Sequence, residues 1–324
     1  MYSDGMREVH MSMKCLCADD FASAFDMDVR SLPQPCLKTM AAADFRYQEV
    51  VGPERDACIL EALKKLDHAD LSVSGPERLP QWEDGWRENL DEFVQSHYDF
   101  NRLKPKYYHH RYLRYKGNYI KPASVEFENS YYTVVRQLLF SRYLSETPCV
   151  IDYGCGTGTS LVLLSDLFPE KELIGCDWAE SSQKIVATIA RETGRKMTGV
   201  NFDMFSARNG FPFPPGAAAI TMAAMEQLNT QYENFLDYLI SRKPSLCVHL
   251  EPLVELYDKE SLFDHLALRY HQKRGYLNGF LTSLRNLESE KRISILDVRR
   301  LFFGSMFHEG YSIVIWRPTG AEKK

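Results

Sequence analysis

Three glycines and three acids carry the first chemical signal in this sequence. The run Asp152-Tyr153-Gly154-Cys155-Gly156-Thr157-Gly158 continues directly from the apolar stretch Cys149-Val150-Ile151. Glycines in such a turn tolerate positive φ and let the backbone approach a ligand closely. A helix starting near Thr159 turns its free N–H groups toward the loop. By itself this pattern suits several nucleotide-type ligands, and the acids narrow the choice. Asp177 ends the next apolar segment, Ile174-Gly175-Cys176-Asp177, with Trp178 beside it. A carboxylate there can accept both hydroxyls of a ribose. Asp152, just ahead of the loop, suits a ligand with an ammonium and a sulfonium better than one with a pyrophosphate. Asp203, in Asn201-Phe202-Asp203-Met204-Phe205, is placed to bind an adenine amino group, with Met204 or Phe202 against the ring.

A second set of residues could act on whatever is bound. His249 and Glu251 flank Leu250 near the end of an apolar run. Strand periodicity points both to one face, and ligands of open α/β sheets sit outside that strand end. The pair could supply a base or bind a substrate. With His265, His271 or His308 it could form a His/carboxylate metal set, although two ligands at i,i+2 are weak grounds for a metal. It could also be a hydrogen-bonded structural pair. Glu226 either binds a substrate amine or caps a helix. Residues 101–122 contain seven Lys or Arg and no acid, interleaved with Tyr107, Tyr108, Tyr112, Tyr115 and Tyr119. As a lid, this segment would offer Arg111 and Arg114 to a carboxylate or phosphate. Tyr115 and Tyr119 would then wall an aromatic or cationic site. The alternative is a cap that packs its tyrosines on the main domain.

Positioning these groups requires alternating strands and helices. After Thr147-Pro148, strand patterns near 149–152, 172–177, 198–201, 218–222 and 246–250 alternate with helical ones at 160–168 and 181–192. This rhythm predicts βαβ units and a mainly parallel sheet. Segments 293–298 and 312–316 have only a short connection, which predicts antiparallel pairing. The stretch 255–291 predicts two helices broken near Gly275. Upstream, helices are predicted over 53–66, 82–98 and 130–143. Residues 1–45, with the Pro33-Gln34-Pro35 breaker, read as poorly ordered.

Residues 148–228 resemble the motif series of class I, Rossmann-like S-adenosylmethionine-dependent methyltransferases. The matching pieces are Val150–Gly158, Gly175-Cys176-Asp177, Phe202-Asp203-Met204 and, more loosely, Ile220–Leu228. The resemblance implies that Gly154, Gly156 and Gly158 wrap the methionine part of the cofactor. It assigns the ribose to Asp177 and the adenine end to Asp203. It also implies an antiparallel last strand. In related enzymes the helix before the first strand often covers the cofactor, so Tyr131 or Tyr132 is expected to touch it. The Asn/Asp-Pro-Pro-aromatic motif of nucleic-acid amino-methyltransferases is absent from 221–226.

The expected architecture is therefore α/β: a Rossmann-like, mainly parallel seven-stranded sheet with an antiparallel last strand, plus an N-terminal helical cap. The expected layout is a loose segment 1–45, a cap or lid over 46–128, and a cofactor domain over 129–324 with the insertion 255–291. The expected activity is methyl transfer from S-adenosylmethionine, yielding S-adenosylhomocysteine, to a small, anionic or amino/keto-acid-like acceptor. Alternatives are a protein or peptide methyltransferase, or a regulator that binds the cofactor without turnover. The 324 residues are 44% hydrophobic and carry a net charge of −5. This supports a buried core and argues against nucleic acid or an anionic membrane as partner. No apolar run is long enough to span a bilayer, the N-terminus does not read as a secretory signal, and eight unpatterned cysteines suit a reducing cytoplasm.

Overall fold

The computed structural model describes residues 12–69, 71–106, 110–207 and 211–320. The chain opens with β1 (Lys14–Cys15), α1 (Ala18–Ala24), α2 (Gln34–Ala42) and β2 (Arg46–Glu49). This corrects the expectation of a loose segment over 12–45. Phe21, Phe25, Leu32, Cys36 and Phe45 are all buried. Their elements are too short to show a periodic stripe. Pro33 and Pro35 open α2 rather than break the chain, since the first helical turn has no need of their missing N–H groups.

The cap continues through α3 (Gly52–Asp67), α4 (Leu79–Gln95), β3 (Leu113–Tyr115) and β4 (Asn118–Pro122) to α5 (Phe127–Tyr143). β3 and β4 form a hairpin through Lys116 and Gly117, both at positive φ, as a two-residue turn between twisted strands requires. The expected helical cap is therefore built partly on an antiparallel sheet in the order β1-β2-β4-β3. Aromatic rings join the cap to α5: Tyr47 of β2 meets Phe127 edge-on at 6.2 Å, and Phe21 of α1 lies 5.3 Å from Tyr131.

The rest of the chain follows the expected alternation: β5 (Cys149–Tyr153), α6 (Thr159–Leu167), β6 (Glu172–Asp177), α7 (Glu180–Thr193), β7 (Met197–Asn201) and β8 (Ala218–Met222). Next come α8 (Glu233–Arg242), β9 (Cys247–Glu251), α9 (Leu262–Arg274), α10 (Phe280–Ser289), β10 (Ile293–Arg300), β11 (Phe303–Ser305) and β12 (Ser312–Pro318). Seven strands form one sheet in the order β10-β12-β9-β8-β5-β6-β7. β5 through β9 run parallel, and β12 is antiparallel to both β9 and β10. This is the Rossmann-like arrangement. Every residue of β5, β8 and β9 is buried, because helices cover both faces of a parallel sheet. Gly275, at φ 58, caps α9 and separates it from α10. β11, between the two C-terminal strands, crosses to the cap and pairs with β3. All eight cysteines are free, and among the described residues no helix is long and apolar enough to cross a membrane.

Candidate active site

The last residue of β5 leads straight into the glycine loop. Gly154, Gly156 and Gly158 have φ of 75°, 51° and 74°, the left-handed region where a side chain is strained. Space is equally decisive at Gly154, where a Cβ would lie 2.4 Å from that of Ala224. Gly158 caps α6 and lies outside the cleft lining. Asp177, at the end of β6, accepts from Gly156 N–H through Oδ2 and from Ala179 N–H through Oδ1, each at 2.9 Å. It therefore braces the loop as well as facing the cleft. Burial raises its carboxyl to about 6, against the pull of those N–H groups.

Above the loop opens a cleft of about 610 Å³, within the size range of small-molecule sites. Its floor is the strand ends carrying Asp152 and Asp177. Trp178, Phe202, Met204 and Phe205 wall one end, and Trp178 lies 5.4 Å from Phe205. Asp203 is not in this wall; its Oδ1 accepts from Phe205 N–H at 2.9 Å and holds the turn that presents Met204 and Phe205. Asp152 is 1% exposed and lines the cleft, and among the described residues its Oδ1 has no hydrogen-bond partner. Burial pushes its carboxyl up to about 7, with Arg136 pulling the other way.

The roof was not legible from the sequence. Trp82 and Trp86 of α4, stacked at 5.4 Å, lie over the loop. A Cβ on Gly156 would sit 3.1 Å from Trp86. Glu83 fastens this helix to α7 by accepting from both Ser181 Oγ and Ser181 N–H. Beyond the roof, the far wall holds Arg78, Glu226, Arg274 and Tyr276. Arg78 donates to Gln227 Oε1 at 2.9 Å, and the Arg274 guanidinium covers the Tyr276 ring at 4.9 Å. Burial raises the Glu226 carboxyl to about 7 despite both arginines. The adjoining wall carries Glu128, Tyr132, His110, His308 and Tyr311, with His308 5.5 Å from Tyr276.

Several expected site residues lie elsewhere. His249 is fully buried, bonded to Thr221 Oγ1 at 2.8 Å and to Trp316 Nε1 at 2.9 Å, and packed edge-on against Phe280. No residue of β9 lines the cleft, and the imidazole points into the layer between sheet and α10. Burial drives its pKa down to about 3, so it stays neutral. Glu251 also lies outside the lining and accepts from Ala224 N–H at 2.9 Å, pinning the segment that packs on Gly154. Tyr131 is turned away from the cleft and stacks on Phe303 at 3.7 Å, whereas Tyr132, one residue on, lines it.

Of the basic segment, Lys106 and His110 reach the cleft, but the residues expected to bind the acceptor do not. Arg114 has no exposed surface; its guanidinium lies 3.5 Å over the Phe263 ring and donates to Phe263 O. Tyr115 and Tyr119 are buried in the same hairpin, and Arg111 lies over the Tyr112 ring. None of the four lines the cleft. Both faces of the hairpin are covered, which buries Arg114, Tyr115 and Tyr119, while Arg111 stays exposed before β3. Tyr107 and Tyr108 lie outside the described residues. His271 and His308 pair with each other at 3.0 Å, both held neutral by burial. Among the described residues no group of three or more His, Cys, Asp or Glu is placed to hold a metal ion.

No protein-family model and no curated protein matches this chain. Solved structures do. A Synechocystis magnesium protoporphyrin IX methyltransferase with bound S-adenosylhomocysteine is 15% identical, covering 59% of this chain and 84% of its own at a TM-score of 0.42. The methyltransferase domain of a bacterial Hen1 is 17% identical, covering 58% and 96% at 0.41. The [4+2]-cyclase SpnF is 14% identical, covering 76% and 97% at 0.47. Similarity this distant carries no functional argument, and the site's chemistry has to be read from its own residues.

Proposed function

We propose that this cleft binds S-adenosylmethionine and that the protein transfers its methyl group to a small anionic acceptor. One observation carries the reading: a buried carboxylate, Asp152, lines the cleft at the glycine loop with an oxygen that no group among the described residues satisfies. Leaving such a group without a partner is costly. A cationic ligand supplies what the chain withholds. The backbone around Gly154 and Gly156 would hold the methionine part, Asp177 the ribose, and Trp178, Met204 and Phe205 the adenine. The bound donor supplies a methyl group activated by positive sulfur. The chain supplies position and dryness: Trp82 and Trp86 close the loop from above, which favours in-line alignment and excludes water. Arg78 and Arg274 support an acceptor bearing a carboxylate or phosphate, which guanidinium binds well. Glu226 stands within electrostatic reach of both and would orient the acceptor.

Calorimetry with S-adenosylmethionine and S-adenosylhomocysteine tests the donor half. A panel of carboxylate- and phosphate-bearing metabolites, followed by S-adenosylhomocysteine formation, tests the acceptor half. Binding of both compounds is expected, with turnover confined to anionic acceptors and Arg274→Met raising KM more than it lowers kcat. Failure to bind either compound overturns the proposal.

A further inference from the structure

Glu128, Tyr132 and Arg136 follow one another at i, i+4 and i+8 on α5, a spacing that stacks them along one helix face. Arg136 marks the end nearest the glycine loop. It donates to Thr159 Oγ1 at 3.2 Å and Ser160 Oγ at 3.1 Å, and its guanidinium lies 4.2 Å from the centre of the Tyr132 ring. Glu128 lies two helical turns away, a rise of roughly 12 Å. That is longer than the short arm joining the carboxylate of S-adenosylmethionine to its sulfur, so Glu128 faces the acceptor's side of the cleft.

The surroundings of Glu128 hold it without neutralising it. Tyr311 donates to Oε1 at 3.1 Å, and His110 Nε2 stands 3.7 Å from Oε2. The residue is only 4% exposed, yet among the described residues Oε2 accepts no hydrogen bond, and the side chain lines the cleft. Burial pushes its carboxyl up to about 8, with the Tyr311 hydroxyl pulling it down. Glu251 also keeps an unbonded oxygen but lies outside the cleft, whereas Glu128 combines one with a place in the cleft lining. Oriented by Tyr311 on one oxygen and approached only by His110 at 3.7 Å on the other, it presents the free acceptor position that a proton acceptor requires.

We propose that Glu128 takes the proton from the acceptor's nucleophile, which is therefore a group that enters the cleft protonated: a hydroxyl, a phenol or an ammonium. This rests on the methyl-donor reading of the cleft. Glu128 accepts the proton as the nucleophile's lone pair forms the bond to the methyl carbon and the carbon–sulfur pair returns to sulfur. The products are methylated acceptor, neutral thioether and protonated Glu128, which then loses its proton to solvent.

The test compares the full-length protein with its Glu128→Gln variant. Calorimetry with S-adenosylmethionine and S-adenosylhomocysteine between pH 6 and 9 reads the carboxylate's position, because only the first compound carries the sulfonium charge. At the alkaline end, Glu128→Gln is expected to weaken S-adenosylmethionine binding by roughly threefold to thirtyfold, the effect of one charge across several ångströms. S-adenosylhomocysteine binding should stay unchanged. With any acceptor the panel yields, single-turnover rates at saturating donor should fall by roughly 10²–10⁴ and lose their rise with pH.

Asp152, Asp177 and Glu226 titrate in the same cleft, and His110, Tyr132, Tyr311 and Arg136 face or flank Glu128. The difference between wild type and variant, rather than the wild-type profile, therefore identifies the group. Tyr311→Phe gives an independent reading in a milder variant: without its hydroxyl, the midpoint assigned to Glu128 moves to higher pH. Donor affinity in Glu128→Gln equal to wild type at every pH, turnover at the wild-type rate, or an unmoved midpoint in Tyr311→Phe would each overturn the proposal. A wild-type protein that binds neither compound removes the donor reading first and this one with it.

Discussion

Replacing Asp152 with Asn should push stability and ligand binding in opposite directions. Asp152 is almost entirely buried at the cleft floor, and burial lifts its carboxyl from 3.8 to about 7. A carboxyl raised this way stays protonated in the folded chain while the unfolded chain ionises. The folded state then binds more protons, and stability falls as pH rises from about 4 to about 7. Above that window the ionised, unpartnered carboxylate costs on the order of 4 kcal/mol. Asn removes the charge and keeps the shape. Its amide carries its own burial cost of roughly 1–3 kcal/mol. The net expectation at pH 8 is a gain of roughly 1–3 kcal/mol, shrinking as pH is lowered toward 4. Donor binding should move the other way. Loss of a charge-assisted contact to the ligand's cationic groups is worth about 1.5–3 kcal/mol, or roughly tenfold to 150-fold in Kd. Thermal melts at pH 5 and 8 and calorimetry with S-adenosylmethionine provide both numbers. An Asp152→Asn protein that is less stable at pH 8 and binds the donor as wild type does would refute the reasoning, since Asp152 would then be a structural clip.

Two further substitutions separate the loop from the residues that only resemble a site. Gly154→Ala places a Cβ 2.4 Å from that of Ala224 at a φ of 75°. It should destabilise by about 2–4 kcal/mol and weaken donor binding by displacing the segment before Glu226; wild-type melts and affinity would contradict this packing. His249→Ala strips the partner from Thr221 Oγ1 and Trp316 Nε1. It should cost about 2–4 kcal/mol while leaving donor affinity and turnover of the folded protein within about twofold, and lost turnover at unchanged stability would return His249 to the chemistry.

The cofactor half of the fold was legible because its signals are local. Short apolar runs ending in Asp152 and Asp177, each followed by a helical pattern, leave little freedom once strands must be covered on both faces. Gly275 marked the break between α9 and α10 for the same local reason. His249 failed the local test because strand parity gives a face without saying what covers it; Phe280, far along the chain, decides that. Trp82 and Trp86 were illegible as a roof because Trp86 shares its helix face with Leu90 and packs on the same core, so spacing alone does not separate cleft from core. Residues 12–45 were illegible for a different reason: helices of seven and nine residues are too short to display a period, so their burial appears only when the sheet they join is assembled.

The acceptor wall could not be read from any single segment because it is made where the two halves of the molecule interlock. β11 leaves the large sheet, adds to the cap and returns. At that crossing Arg300 forms paired bonds to both Asp264 and Glu309, at 2.6–2.9 Å. Asp264 lies on the helix that carries Arg274, and Glu309 lies between His308 and Tyr311. Buried ion clusters of this kind contribute geometry more dependably than net stability. Here the geometry they set is that of the groups facing Glu128 and Glu226. On the proposed reading, the donor floor belongs to one sheet, whereas acceptor choice belongs to the joint between that sheet and the cap.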